Sequence, residues 1–424
     1  MEKRAWITIL SVWASLWGVP AHLHAENTPA ATLTVEQAVQ EAVDHNLTLL
    51  AERYNISVAE ARVMTAGLHP NPVLSTSANI MDHTVFRTGT SPYDEAVRLD
   101  FVFERGGKRE RRLEVAEDAR TVTQLQFRNT LRTLILDVEN ACVEVLLAKA
   151  NLTLAQENLH SLNNVVNLNA HRVRTGDLAA VELERIRLAA LQLQNQVQKS
   201  EADLTVARHE LQTLVGRSLQ AETVDVVGEL RRDTPLVSPD TLLHQALTLR
   251  PDLQALQRDQ ARSAAELRLQ IAQGTVDYTV GAEYHRQQGN VAAGNSFSLY
   301  FSTPLPVFNR NQGEILRAQE EQEQSAVKRQ ALEADIRKEV QTTYAHYTAA
   351  QNTLRRLETQ MLGQAEEVRS TMEYTYRRGA ASLVEFLDAQ RTFNETRQSY
   401  NEAQAEYARS LYQLDAVSGN SVNT

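Results

Sequence analysis

The chain has 424 residues, of which 42% are hydrophobic and 23% charged, with a formal net charge of -10. A single cysteine, Cys142, excludes an intrachain disulfide framework and any zinc site built on several thiolates, and the acidic balance leaves no basic field for nucleic acid. Sixteen Gly and ten Pro are few for this length, which excludes collagen-like and Pro-rich disordered classes, disfavours a loop-rich α/β enzyme and fits long helices.

Residues 1–25 read as a secretory signal peptide. Lys3 and Arg4 precede an apolar run from Ala5 to Val19 and a small-residue stretch ending at Ala25. The run is shorter than the ~20 residues needed to span a bilayer. Trp6, Trp13 and Trp17 are the only tryptophans and all fall in this leader. No Cys follows the run to carry a lipid, and no later stretch is apolar enough for a transmembrane helix.

Beyond the leader the chain repeats itself, with one plan over 26–230 and again over 231–424: short helices, two strands, a very long helix, a turn and a second helix. Ala42–Leu47 parallels Ala246–Pro251. The turn Arg174–Leu183 matches Arg377–Phe386, pairing Gly176 with Gly379, Val181 with Val384 and Glu182 with Glu385, and the following helices end at Gly216 and Gly419.

Four segments alternate apolar and polar residues with period two, as half-buried strands do. Ala96–Phe103 puts Val97, Leu99, Phe101 and Phe103 on one face, Thr275–Tyr284 does the same with Val276, Tyr278, Val280 and Tyr284, and Ser296–Ser302 with Phe297, Leu299 and Phe301; Pro72–Ile80 is weaker. Such strands suit a transmembrane barrel, but the smallest barrels need ~8 strands. An open edge in lipid leaves backbone groups unsatisfied, so several protomers must share one barrel. The connections Met81–Tyr93 and Arg286–Asn295 are polar and should face outside.

From Lys108 to Thr175 no Pro or Gly occurs, and a continuous helix of that length is ~100 Å long. Leu131, Leu134, Val138, Ala141, Val145, Ala148, Leu152, Ala155, Leu159, Leu162 and Val166 step by threes and fours, the seam of a left-handed coiled coil. Many seam residues are small, permitting close helices. The second half repeats the feature from Glu314 to Arg378, with Gly363 as its interior Gly. Cys142, mid-helix among apolar residues, reads as an inert packing residue.

Two motifs sit where strand becomes helix: Gly106-Gly107-Lys108-Arg109, and Pro304-Leu305-Pro306-Val307-Phe308-Asn309-Arg310-Asn311-Gln312-Gly313-Glu314. His69-Pro70-Asn71-Pro72 precedes the first strand. With these, the mature chain resembles the TolC-like outer-membrane channel proteins of Gram-negative bacteria, and within them the CzcC-type branch serving heavy-metal efflux pumps. The resemblance implies a mixed α/β membrane protein, mainly α: a homotrimer whose protomers each give four strands to one barrel in outer-membrane lipid and whose helices form a periplasmic tunnel. It implies, as partners, a periplasmic adaptor protein and an inner-membrane pump of the resistance-nodulation-division type. It puts Gly176, Leu178, Gly379 and Ala381 on the tips that touch the adaptor.

Glu385 and Asp388 lie at i and i+3 just past the second tip, on one helical face. The resemblance makes such an acidic pair the lining of a closed aperture, although Glu stands here where the family has Asp. Six carboxylates around a threefold axis would favour cations, and some should titrate above the ~4 of a free carboxyl. A solvated face on which Asp388 pairs with Arg391 stays open as the other reading.

No HExxH, nucleophile elbow or phosphate loop occurs, and the His are scattered, with His160 and His171 three turns apart on one helix; no enzyme activity, cofactor or metal site is expected. The resulting expectation is an efflux exit duct for heavy-metal cations. Two alternatives remain: a duct for drugs, organic solutes or type I protein secretion, and, from a different class, a structural periplasm-spanning coiled coil without a lumen.

Overall fold

The computed structural model describes residues 31–80, 93–218, 223–235, 238–288 and 293–420. The leader and the connection 81–92 lie outside the described residues. In chain order the elements are β1 (Ala31–Leu33), α1 (Val35–His45), α2 (Leu47–Ala66), β2 (Val73–Ile80), β3 (Tyr93–Phe103), α3 (Lys108–Thr175) and α4 (Ala180–Leu214). There follow β4 (Val224–Val226), α5 (Pro239–Leu249), α6 (Pro251–Gln273), β5 (Tyr278–Gln288), β6 (Ala293–Ser302), α7 (Gln312–Arg356), a π turn (Leu357–Met361), α8 (Leu362–Arg377) and α9 (Leu383–Ser418).

Two glycines pack against the corners between short helices. Gly216, at the end of α4, has φ +78, and a Cβ there would lie 2.3 Å from the carbonyl oxygen of His45, at the α1–α2 corner. Gly419 ends α9 with φ +83 against Leu249 and Arg250, at the α5–α6 corner.

The long strands form one antiparallel sheet in the order β2-β3-β5-β6. The row Phe101, Val280, Phe301 runs across three of them, and Val97, Leu99, Phe101, Phe103, Phe297 and Leu299 are all exposed on that face. The other face is polar and internally bonded. The Arg98 guanidinium donates to Asp100 at 2.9 Å and lies 4.2 Å from the centre of the Tyr300 ring, and Tyr300 donates to Glu283 at 2.8 Å. Gly281 makes room for this, since a Cβ there would fall 2.1 Å from an Asp100 carboxylate oxygen.

The strand edges differ from expectation. β5 begins at Tyr278 rather than Thr275, because Asp277 leaves the ladder: its carboxylate accepts the Arg105 backbone N–H at 2.9 Å and the Lys108 ammonium at 2.8 Å. β5 also continues through Gln288 and β6 starts at Ala293, so Arg286 and Asn295 are paired strand residues and not loop.

Both strand-to-helix motifs solve one backbone problem. Gly107 precedes α3 with φ 67, and Asn311 precedes α7 with φ 66, a left-handed conformation that Gly and Asn tolerate best. The Asn311 side chain offsets the strain by donating to the Gln270 carbonyl at 2.8 Å, at the end of α6. Arg109 donates to the Gly67 carbonyl at 2.8 Å, at the end of α2.

Each half packs its own core. Val138, Cys142 and Val145 of α3 meet Ala38 and Ala42 of α1 and Leu211 of α4; Ile336 and Val340 of α7 meet Leu253 of α6 and Leu411 of α9. Small residues join the halves where Val143 and Leu147 meet Ala405 and Ala408. Thus α3 buries two stripes, and the single seam read from sequence is one of them. The second stripe continues in amides: Asn401 donates to Asn151 at 3.0 Å and Gln390 to Asn158 at 3.3 Å.

Two features were not legible. The parallel pair β1–β4 ties Ala31–Leu33 to Val224–Val226; three residues are too short for a period to register. The long helix of the second half is interrupted at Leu357–Met361, where one extra residue per turn shifts the seam register, with Leu357 kept buried.

Burial pushes the Glu139 carboxyl from 4.5 up to about 8, with Asp415 adding repulsion. A folded-state value above the unfolded one means the fold binds the extra proton, so this group's contribution to stability is fully present below about pH 4.5 and is lost as pH rises towards 8. Glu139→Gln should flatten thermal stability across that window and raise it at the alkaline end by a few kcal/mol, since each tenfold change in proton affinity is worth about 1.4 kcal/mol. Melting midpoints followed by circular dichroism against pH for both proteins check this.

Candidate functional site: the hairpin tips and the acidic pair

The two long hairpins turn at the same end of the molecule. α3 stops because Gly176 takes φ 84, which lets its N–H reach the Val173 carbonyl at 3.2 Å and the Asp177 N–H reach Arg172 at 2.8 Å. α8 stops in the same way at Gly379, φ 77, with Gly379 bonded to Tyr376 at 2.9 Å and Ala380 to Thr375 at 2.9 Å. These are left-handed helix C-caps. A Cβ at either glycine would meet nothing within 4 Å, so backbone geometry alone selects glycine there.

Leu162, Val165, Leu183, Ile186, Tyr376, Leu383 and Phe386 bury together and fix the two turns side by side. Tyr376 and Phe386 stack at 5.2 Å. Asn169, fully buried on α3, donates to the Tyr376 hydroxyl at 2.6 Å, and Arg172 caps α8 by donating to the carbonyls of Tyr376 and Arg377. The tip residues singled out in the sequence are therefore brought together: Gly176 and Gly379 are exposed, while Leu178 and Ala381 are half-buried, Ala381 against the cluster.

Asn169, Arg172 and Tyr376 escaped sequence reasoning. Their signal was a polar residue on an apolar step, Asn169 four after Val165, which a search for apolar periodicity discards.

Glu385 and Asp388 share the exposed face of the first turns of α9, as their spacing requires. They do not hold each other. Ser382 and Glu385 form a reciprocal cap: the Ser382 hydroxyl accepts the Glu385 N–H at 3.3 Å, and the Glu385 carboxylate accepts the Ser382 N–H and hydroxyl, both at 2.8 Å. Those donors hold the Glu385 carboxyl below its ordinary value, opposite to the upward shift expected of crowded carboxylates, which must overcome this cap. Asp388 meets Arg391 at 3.3 Å, with side chains 66% and 72% exposed, a pairing worth ~0–1 kcal/mol and easily exchanged.

Among the described residues no three or more His, Cys, Asp or Glu side chains group as a metal site. His160 and His171 are exposed on α3. Cys142 is completely buried and its thiol is pushed up to about 12, so it supplies no thiolate. Among the described residues no helix is long and apolar enough to cross a membrane.

The family model described as outer membrane efflux protein matches residues 38–217 and 242–420. The cobalt-zinc-cadmium resistance protein CzcC of Cupriavidus metallidurans is 24% identical over 371 residues, covering 88% of this chain and 86% of its own. The pyoverdine export outer membrane protein OpmQ of Pseudomonas putida is 26% identical, covering 93% and 82%. Among solved structures, the channel CusC superposes with TM-score 0.77 at 19% identity over 91% of this chain and 92% of that one.

Gly176→Ala and Gly379→Ala should each cost ~1–2 kcal/mol for the left-handed backbone and leave the fold intact. Gly216→Ala should destabilise far more, because it adds a collision with the His45 carbonyl. Melting midpoints of the three variants in detergent should fall in that order.

Proposed function

The chain belongs to the outer membrane efflux protein family, whose members act with periplasmic adaptors and inner-membrane resistance-nodulation-division pumps, and from that premise we propose an exit duct assembled from three copies that carries heavy-metal cations out of the cell. One observation carries the reading. A sheet with one exposed apolar face and, among the described residues, two free edges sits at one end of α3, a helix of 68 residues, and the paired hairpin turns sit at the other.

Each part then has a physical task. The apolar face meets outer-membrane hydrocarbon, and the polar face carrying Arg98, Asp100, Glu283 and Tyr300 lines water. The halves 26–230 and 231–424 act as two structural repeats, and the leader 1–25 directs export. The turns bearing Gly176, Leu178, Gly379 and Ala381 dock the adaptor, presented rigidly by the Tyr376–Phe386 cluster. Glu385 and Asp388, six and nine residues beyond Gly379, sit roughly 10–15 Å from the tip at 1.5 Å per residue. Repeated around an axis they narrow the entrance and focus a negative potential. The energy for transport comes from the inner-membrane pump, and no chemical step occurs in this chain.

The metal cargo is supported by the likeness to CzcC, named for cobalt, zinc and cadmium resistance. The likeness to OpmQ, named for pyoverdine export, supports a second reading in which the cargo is an organic solute.

Glu385→Gln combined with Asp388→Asn should raise resting conductance in a planar bilayer, reduce cation preference and abolish block by multivalent cations from the periplasmic side. A double variant indistinguishable from wild type in all three removes the aperture assignment and leaves the exposed Asp388–Arg391 pair as the complete account.

Deleting the gene in a background without redundant channels should lower tolerance to zinc, cobalt or cadmium more than to drugs. Growth curves with the reverse order favour the organic-solute duct.

A further inference from the structure

Two exposed runs of chain meet the same end of the sheet, one on each edge. Val73, Asp100, Gly281 and Tyr300 share one row across the four strands, so β2 starts where β6 finishes. Every residue from 68 to 79 is exposed on the β2 edge, and every residue from 304 to 310 beyond the β6 edge. Both runs are apolar where they leave the sheet. Leu68 is 65% exposed and Val73 53%, while Leu305 is 79%, Val307 63% and Phe308 91% exposed.

The second run is a built turn. Pro304 and Pro306 fix two φ angles, the Val307 N–H bonds to Leu305 at 2.8 Å, Arg310 donates to the Pro306 carbonyl at 3.1 Å, and Gln312 donates to the Phe308 carbonyl at 3.2 Å. A preorganised turn loses little entropy when its side chains are covered.

Lipid is the wrong cover. The sheet ends in a charged row: Arg105 lies 4.4 Å from the centre of the Tyr278 ring, and Lys108 pairs with Asp277. Tyr278 and the charged Arg105, Lys108 and Asp277 at the end of the apolar face suit an interfacial boundary, and the 304–308 turn lies beyond it. We propose that Leu305, Val307 and Phe308 of one protomer seat on the Leu68–Val73 segment of the next copy, sealing the ring where barrel gives way to tunnel. Edge pairing of β6 with a neighbouring β2 brings these runs together, since both leave the sheet at the same end. The inference rests on the shared-barrel reading above and assigns it a specific contact.

The test uses the full chain with Cys142→Ala, Leu68→Cys and Phe308→Cys, treated in detergent with a short bismaleimide. Covalent dimers and trimers should appear on a denaturing gel, and neither single-cysteine chain should give them. Absence of covalent species while the oligomer persists on a native gel overturns the contact and leaves the shared barrel standing; a wild-type chain that is monomeric overturns both. Phe308→Trp gives an independent readout, because the only native tryptophans lie in the leader 1–25. In vesicles its emission should be blue-shifted and little quenched by brominated phospholipid. Strong quenching assigns the turn to lipid and overturns the seam.

Discussion

The two unpaired edges of the sheet constrain everything else in this molecule. Among the described residues β2 and β6 each lack a partner on their outer edge beside an apolar face, and in hydrocarbon each unsatisfied backbone group costs several kcal/mol. In water the same edges would template aggregation. In the proposed assembly, neighbouring copies of the chain satisfy both conditions. The long helices are tied to the sheet, because α3 starts five residues after β3 ends, through a turn pinned by Lys108 and Asp277.

That turn is one of the places where the two halves of the chain hold each other. Asp277, just before β5, binds the Arg105 N–H just after β3 and the Lys108 ammonium at the start of α3. Lys108 is almost fully buried and Asp277 partly so, so removing the Asp277 carboxylate leaves a buried ammonium without its partner. The barrel end and the tunnel end of the protomer thereby hold one relative orientation. Further along, cohesion changes character. Near the middle, Val143 and Leu147 pack on alanines; beyond that, contacts between α3 and α9 run through the amides of Asn151, Asn158, Gln390 and Asn401. Amide pairs exchange partners at small net cost compared with opening a dry core. The tip cluster of Tyr376 and Phe386 then restores apolar cohesion where the turns must be presented together.

Most of this architecture was legible because long elements leave long periods. The period-two faces of β3, β5 and β6, the uninterrupted run behind α3, and the paired glycines at 176 and 379 all survive in the structure. Short or aperiodic features left no comparable trace: the three-residue β1–β4 pair, the π turn at Leu357, and the departure of Asp277 from its strand. The tip was read for its glycines and missed for Asn169, Arg172 and Tyr376, since polar residues inside a helix–helix seam look like surface. The acidic pair was found by spacing, while the Ser382 cap on Glu385 went unread although Ser-x-x-Glu is a helix-start signature.

The claim that one protomer cannot close its own barrel is tested most directly by mass. Light scattering on the purified mature chain in mild detergent, corrected for bound detergent, should give a single species of three chains that precipitates when detergent is withdrawn. A monodisperse monomer, stable without detergent, contradicts the account.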